Sequence, residues 1–157
     1  MDVYEKMREL DIELPEAPPA GGLYSPMRRF GKNLVYTSGI GPVSPDGTAL
    51  WTGKLGTDLS VAEGQLATRA ATLNTLAMLH KNLGDLNKIK RVVKVLGFVA
   101  CGSDFYQQPQ VMNAATELLV SIYGDDDGRP ARSALGTNAL PGNIPVEIEL
   151  ILELNEE

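Results

Sequence analysis

Residues Arg129–Leu154 read RPARSALGTNALPGNIPVEIELILEL, and two strands separated by a turn are legible in that string. After Pro145 the residues alternate: Val146, Ile148, Leu150, Leu152 and Leu154 point one way, and Glu147, Glu149, Ile151 and Glu153 the other. A period of two is the signature of a strand, so one face is core and the other carries carboxylates. Upstream, Leu140-Pro-Gly-Asn143 supplies turn chemistry, because proline fixes φ while Gly and Asn tolerate positive φ. Ala131–Thr137 is short, rich in small residues and flanked by Pro130 and Asn138, which fits a strand in a crowded interior or interface. An arginine on one extended segment and carboxylates on the next suggest a site for a small-molecule acid.

Working outward, Ile89–Cys101 is too β-branched for an easy helix and too continuously apolar for a strand exposed on one side, so it belongs in the middle of a sheet. Strict alternation sends Val92, Leu96 and Phe98 to one face and Val93, Val95 and Val99 to the other. Both faces are then apolar, and a symmetric oligomer is the expected cover for the second. Leu23–Phe30 and Leu34–Ser38 read as a hairpin turning at Gly31-Lys32-Asn33. In Ser38-Gly39-Ile40-Gly41-Pro42 no helix follows, so the glycines serve close backbone approach rather than phosphate binding. Ser44-Pro-Asp-Gly47 is a type I turn signal, followed by a short strand at Ala49–Leu55 that carries Trp51.

Two long helices complete the pattern. Ser60-Val-Ala-Glu63 is a capping box, placing a helix from Val61 to about Leu83 with Gly84 as its left-handed cap and Leu66, Ala70, Leu73 and Ala77 facing inward. A second helix spans about Gln108–Tyr123, with Val111, Ala115, Leu118 and Ile122 inward, Gly124 as its end, and Asp125–Gly128 as a solvated acidic loop. His80 reads as a surface residue and Cys101 as a small buried hydrophobe. Residues 2–10 suit a short helix on Val3, Met7 and Leu10, within an N-terminal arm over 1–20 whose Pro15–Gly22 run cannot be helical. The order β-β-β-α-β-α-β-β implies one α+β domain over 1–157, a two-layer sandwich whose six-stranded mixed sheet carries both long helices on one face.

Composition limits the function. Fourteen basic against twenty acidic residues give a net charge of −6, which disfavours sequence-independent nucleic-acid binding. A single cysteine and a single histidine provide neither an internal disulfide nor a zinc cluster. The charged N-terminus and the lack of any run of ~20 apolar residues point to a cytoplasmic protein with no membrane partner.

Leu34-Val-Tyr-Thr-Ser-Gly39, Arg91-Val-Val-Lys-Val with Phe98-Val99, Asn113, Pro130-Ala-Arg-Ser133, and Leu140-Pro with Val146-Glu-Ile-Glu149 together resemble the Rid (RidA/YjgF, endoribonuclease L-PSP) family over about Gly21–Leu154, in its longer-chain branch. The resemblance implies a chorismate-mutase-like fold, a homotrimer around a central barrel, and clefts at subunit interfaces. It also implies hydrolysis of 2-imino acids, or their enamine tautomers, to 2-keto acids and ammonia without metal or organic cofactor. Arg132 matches the family's carboxylate-gripping arginine, Glu147 its water-orienting glutamate and Ala134 its backbone carbonyl, while Tyr24, Ser38, Gly39 and Asn113 match cleft-lining positions. Without the resemblance, Glu147, Glu149 and Glu153 are equivalent candidates. Ala134 replaces a frequent cysteine, Ile40 a frequent glutamine, and Gly136-Thr137 a bulkier pair, so the pocket's polarity differs from that of better-known members. A carboxylate-metabolite-binding trimer without catalysis is the alternative, and RNA cleavage rests on the family label alone.

Overall fold

The computed structural model describes residues 2–156. Its elements are α1 (Val3–Glu9), β1 (Met27–Phe30), β2 (Leu34–Thr37), α2 (Val61–Leu83), β3 (Ile89–Ala100), α3 (Gln108–Gly128), β4 (Ala131–Thr137) and β5 (Val146–Leu154). The sheet runs β1-β2-β5-β3-β4. Only β3 and β4 are parallel, and α3 supplies the crossover that parallel neighbours require. The fold is thus the expected chorismate-mutase-like α+β sandwich, with helices on one face of a mixed sheet. No helix among the described residues is long and apolar enough to cross a membrane.

The sheet has five strands, not six. Ala49–Leu55 makes only isolated bridges, Val43 to Ala49 and Leu55 to Leu59 and Cys101. Gly53 adopts φ +112°, which breaks the extended run, and the segment instead anchors through Gly53 N to the Asn143 carbonyl (2.9 Å) and Leu55 N to the Ala100 carbonyl (2.8 Å). The first hairpin strand is also shorter than Leu23–Phe30: it begins at Met27, after Pro26, which has no amide proton to offer.

In β5 the alternation holds residue by residue, with Val146, Ile148, Leu150, Leu152 and Leu154 buried. In β3 it fails. Register shifts against β5 between Ile89 and Arg91 and between Val92 and Lys94 put Val92, Val95, Gly97 and Val99 all toward the helices, leaving Lys94, Leu96 and Phe98 on the open face. A bulge inserts one residue and so reverses the parity of everything beyond it.

The capping box is present, with Ser60 Oγ accepting from Glu63 N and Glu63 accepting from Ser60 N, and Gly84 closes α2 at φ +79°. The expected stripe holds at Ala77, which is buried, and at Leu73, which packs against the core, but not at Leu66, which is 57% exposed. Gly64, Ala67, Thr68, Ala71, Thr72 and Thr75 pack inward along the first half, and Leu76, Met78, Leu79 and Leu83 toward its end. Small residues let the helix approach the sheet and α3 closely, and Thr72 and Thr75 satisfy their hydroxyls by donating to the carbonyls of Thr68 and Ala71 (both 2.8 Å). Helix α3 buries Val111, Ala115, Leu118 and Ile122 as expected, and a Cβ on Gly97 would overlap Met112, so α3 lies directly on β3. Gly124, at φ +82° and non-helical, ends the long part of α3 as expected; Asp125–Gly128 then add a further helical turn rather than a loop.

The N-terminal segment is less of an arm than its composition suggests. Val3, Met7 and Ile12 enter the core, while Leu10 is 38% exposed. Asp11, at φ +51°, turns the chain so that Ile12 N reaches the Met7 carbonyl (2.9 Å). Tyr4 Oη accepts from Leu86 N and meets His80 Nδ1, each at 2.8 Å, so His80 lies on the surface as expected and also touches α1. Cys101 is buried at the end of β3, with Gln108 Nε2 3.6 Å from its sulfur.

Candidate functional site

Where β2 ends, the chain leaves the sheet as a tightly held loop. Ser38 N donates to the Pro26 carbonyl (2.9 Å) and Ser38 Oγ to the Ser25 carbonyl (2.6 Å), tying the loop to the segment that carries Tyr24. Ile40 exchanges two backbone hydrogen bonds of 3.0 Å with Ile148 of β5. Buried Asn74 of α2 donates to the carbonyls of Gly41 (3.0 Å) and Val43 (2.8 Å), removing two acceptors from an apolar setting. Gly39 lies so close to β5 that a Cβ there would overlap the Glu147 carboxylate. The Gly-x-Gly motif therefore serves close approach, as its lack of a following helix indicated.

These elements wall a cavity of about 760 Å³, with Tyr24, Ser38, Gly39, Ile40, Glu147 and Glu149 in its lining. Tyr24 is half exposed, and its Oη accepts from Gly21 N (3.0 Å). Glu147 sits between Val146 and Ile148, both fully buried against the helices, so its side chain points to the open face. It has no hydrogen-bond or ion-pair partner among the described residues. Burial, and then the neighbouring Glu149 carboxylate, push its pKa above the ordinary glutamate value.

The three glutamates are no longer equivalent. Glu153 is bound by Lys90 (2.8 Å) and Arg91 (3.3 Å), and its hydrogen bond from Lys90 lowers its pKa. Glu149 faces the cavity but accepts from Tyr36 Oη (2.8 Å), which raises the pKa of that tyrosine. Glu147 alone combines the cavity with an uncommitted carboxylate.

Arg132 lies elsewhere. Its Nη1 donates to Asn113 Oδ1 (2.9 Å) and Thr116 Oγ1 (3.2 Å), both on α3, so its guanidinium turns toward the helix layer at the edge strand β4. It has no carboxylate partner among the described residues, and burial lowers its pKa. Ala134 lies two residues on in the same strand, in register with Gly97 of β3. The expected residues thus fall into two groups: Tyr24, Ser38, Gly39 and Glu147 at the cavity, and Arg132 with Asn113 at the β4 edge. Within one chain β3 separates Arg132 from Glu147, and the two side chains leave opposite faces of the sheet.

Sequence reasoning did not identify Thr116, though its position three residues after Asn113 puts both on one helix face. It also missed the Tyr36–Glu149 hydrogen bond and the wall that Pro18–Gly21 form beside Tyr24, since both depend on tertiary placement.

Comparison with known proteins agrees with this geometry. The family model described as "YjgF/chorismate mutase-like, putative endoribonuclease" matches residues 5–154. Protein TCP17 of Trypanosoma cruzi is 38% identical over 153 residues, covering 98% of this chain and 94% of that one. Among solved structures, a protein of unknown function from Agrobacterium tumefaciens is similar at 39% identity and a TM-score of 0.87, covering 98% of this chain and 92% of its own. A protein from Shewanella oneidensis carrying the same endoribonuclease description matches at 32% identity and a TM-score of 0.91, over 98% and 100% of the two chains. By sequence and fold alike, the chain belongs to the YjgF/chorismate mutase-like family.

Proposed function

We propose that the protein hydrolyses reactive 2-imino acids to 2-keto acids and ammonia, using side chains and backbone alone. One observation carries this reading: the chain leaves a half-buried arginine without a carboxylate and a half-buried glutamate without a cation. A 2-iminium acid has a carboxylate at one end and a positive C=N carbon next to it, so it complements both groups at once. The guanidinium fork of Arg132 suits the carboxylate, and Asn113 and Thr116 aim it. Glu147 and Glu149 supply the negative field that favours the iminium.

The chemistry follows from these positions. Glu147 and the Ala134 carbonyl of a second copy hold a water, Glu147 takes one of its protons as the oxygen adds to the imine carbon, and a carbinolamine forms. Glu147 returns its proton to nitrogen, then takes the hydroxyl proton as the C–N bond breaks and the C=O forms, so ammonia leaves with the keto acid behind and picks up that proton. Because the iminium is already electrophilic, a carboxylate with a raised pKa is a sufficient base.

Since Arg132 and Glu147 diverge within one chain, the reading requires a second copy to bring them together, as a homotrimer with clefts between subunits does. The open sheet face and the unpaired outer edge of β4 are the surfaces available for that assembly.

The test couples the purified protein to an amino-acid oxidase that generates the imino acid, with semicarbazide trapping what remains. Faster keto-acid release is expected, and Arg132→Ala is expected to lower kcat/KM by at least about 100-fold. An Arg132→Ala variant as fast as the wild type removes the proposal. Keto-acid binding without turnover marks a metabolite-binding protein instead.

A further inference from the structure

On one chain, before a second copy brings Arg132 to it, the cavity beside Glu147 exceeds what the smallest imino acids need. The imine of pyruvate has six non-hydrogen atoms and fills on the order of 150 Å³, counted as about five waters at ~30 Å³ each. The cavity holds about 760 Å³.

Contacts along the loop from Gly39 to Gly47 show how its character changes. Gly39 abuts the Glu147 carboxylate. Two residues on, Gly41 abuts the Ile144 side chain, and at the far turn the position of a Gly47 Cβ lies 3.8 Å from Pro19 Cγ. The wall therefore passes from carboxylates to Ala49 and the prolines Pro18 and Pro19. Met78 and Ile144 are buried behind this wall. Prolines present rings and no amide donors, so the arm adds apolar surface without polar groups that need partners. The acidic residue at this end, Asp46, is already occupied by Ser44 Oγ and Thr48 N (3.0 Å).

The walls are also fixed in place. The arm is pinned before the prolines by Ile12 in the core and after them by Ser38, which donates to the Ser25 and Pro26 carbonyls, while Asn74 holds the facing loop. A preformed apolar compartment next to a charged anchor fits a ligand with a polar head and a greasy tail.

We propose that this apolar compartment, between the Pro18–Pro19 strap and the Gly41–Ala49 loop, holds the substrate's side chain. The protein is then selective for 2-imino acids bearing a bulky branched or aromatic apolar group. The inference rests on the imino-acid reading above, and names the substrate class for that site.

The test uses stable keto acids in place of imines, with calorimetry on the full chain in its solution assembly. Phenylpyruvate and 4-methyl-2-oxopentanoate are expected to bind at least about tenfold more tightly than pyruvate, because each added methylene in an apolar pocket raises discrimination severalfold. Pyruvate binding as well as either overturns the selectivity while leaving the imino-acid reading intact. Absence of binding by all three overturns both. Ala49→Trp fills the compartment and is expected to bring the affinity ratio close to one; a ratio that persists in a variant with a wild-type melting curve overturns the compartment assignment. The wild-type series stands without the variant if the latter fails to fold.

Discussion

At Gly39 the absence of a side chain has a functional meaning. The backbone needs no left-handed conformation there; what it needs is space for the Glu147 carboxylate. Gly39→Ala is expected to push that carboxylate aside while leaving the fold nearly intact, because a half-exposed glutamate can swing away cheaply. Activity should fall by about 100-fold, the scale set by a displaced general base, with the thermal midpoint moved by only a few degrees. An unchanged kcat/KM in a folded Gly39→Ala protein counts against Glu147 as the base. Burial and the adjacent Glu149 raise the Glu147 pKa, so the acid limb of the pH–rate profile should lie above the ordinary glutamate range of about 4.3. Glu149→Gln removes the like charge and should move that limb to lower pH; an unmoved limb sinks the coupling. The stability sign runs the other way. The folded state holds the Glu147 proton more tightly than the unfolded chain does, so its contribution is complete at low pH and is lost as pH rises through the raised value. At this scale the sequence pointed to Glu147 only through family resemblance, because three glutamates share one strand face and only tertiary partners separate them.

Among the elements, β5 and α2 show where periodic patterns succeed and fail. The alternation of β5 was fully legible because both of its neighbours pair with it and one face meets the helices. In α2 the leucines mislead. The buried side is glycine, alanine and threonine in the first half, whose small volume allows close packing, and gains Leu76, Leu79 and Leu83 in the second, whereas Leu66 faces outward. Leu66→Ala should therefore change stability by less than about 0.5 kcal/mol, while Leu79→Ala, at a fully buried position, should cost about 2–5 kcal/mol; urea unfolding reads both. Equal costs would restore the leucine stripe as the packing face. The bulges in β3 were equally illegible, since an inserted residue leaves no mark in a run of valines.

For the molecule as a whole, the open face of the sheet is the unfinished side. Tyr36 (42%) and Leu135 (49%) remain exposed there, and β4 presents seven residues of unpaired edge. Of the β3 residues expected to share one face, Leu96 and Phe98 do lie together on this one, and Val92 is displaced to the helix side by the register shift. Leu135→Glu should shift the light-scattering mass toward that of one chain and abolish activity in parallel, since Arg132 and Glu147 would lose the copy that unites them. A fully active monomer would refute an interfacial site. The lone thiol of Cys101 lies inside this body, at the junction of β3, the Leu55 bridge and the start of α3. No other sulfhydryl competes with it, so its rate of reaction with a water-soluble thiol reagent times the opening of that junction: a clock built into the chain, requiring no label and no added residue.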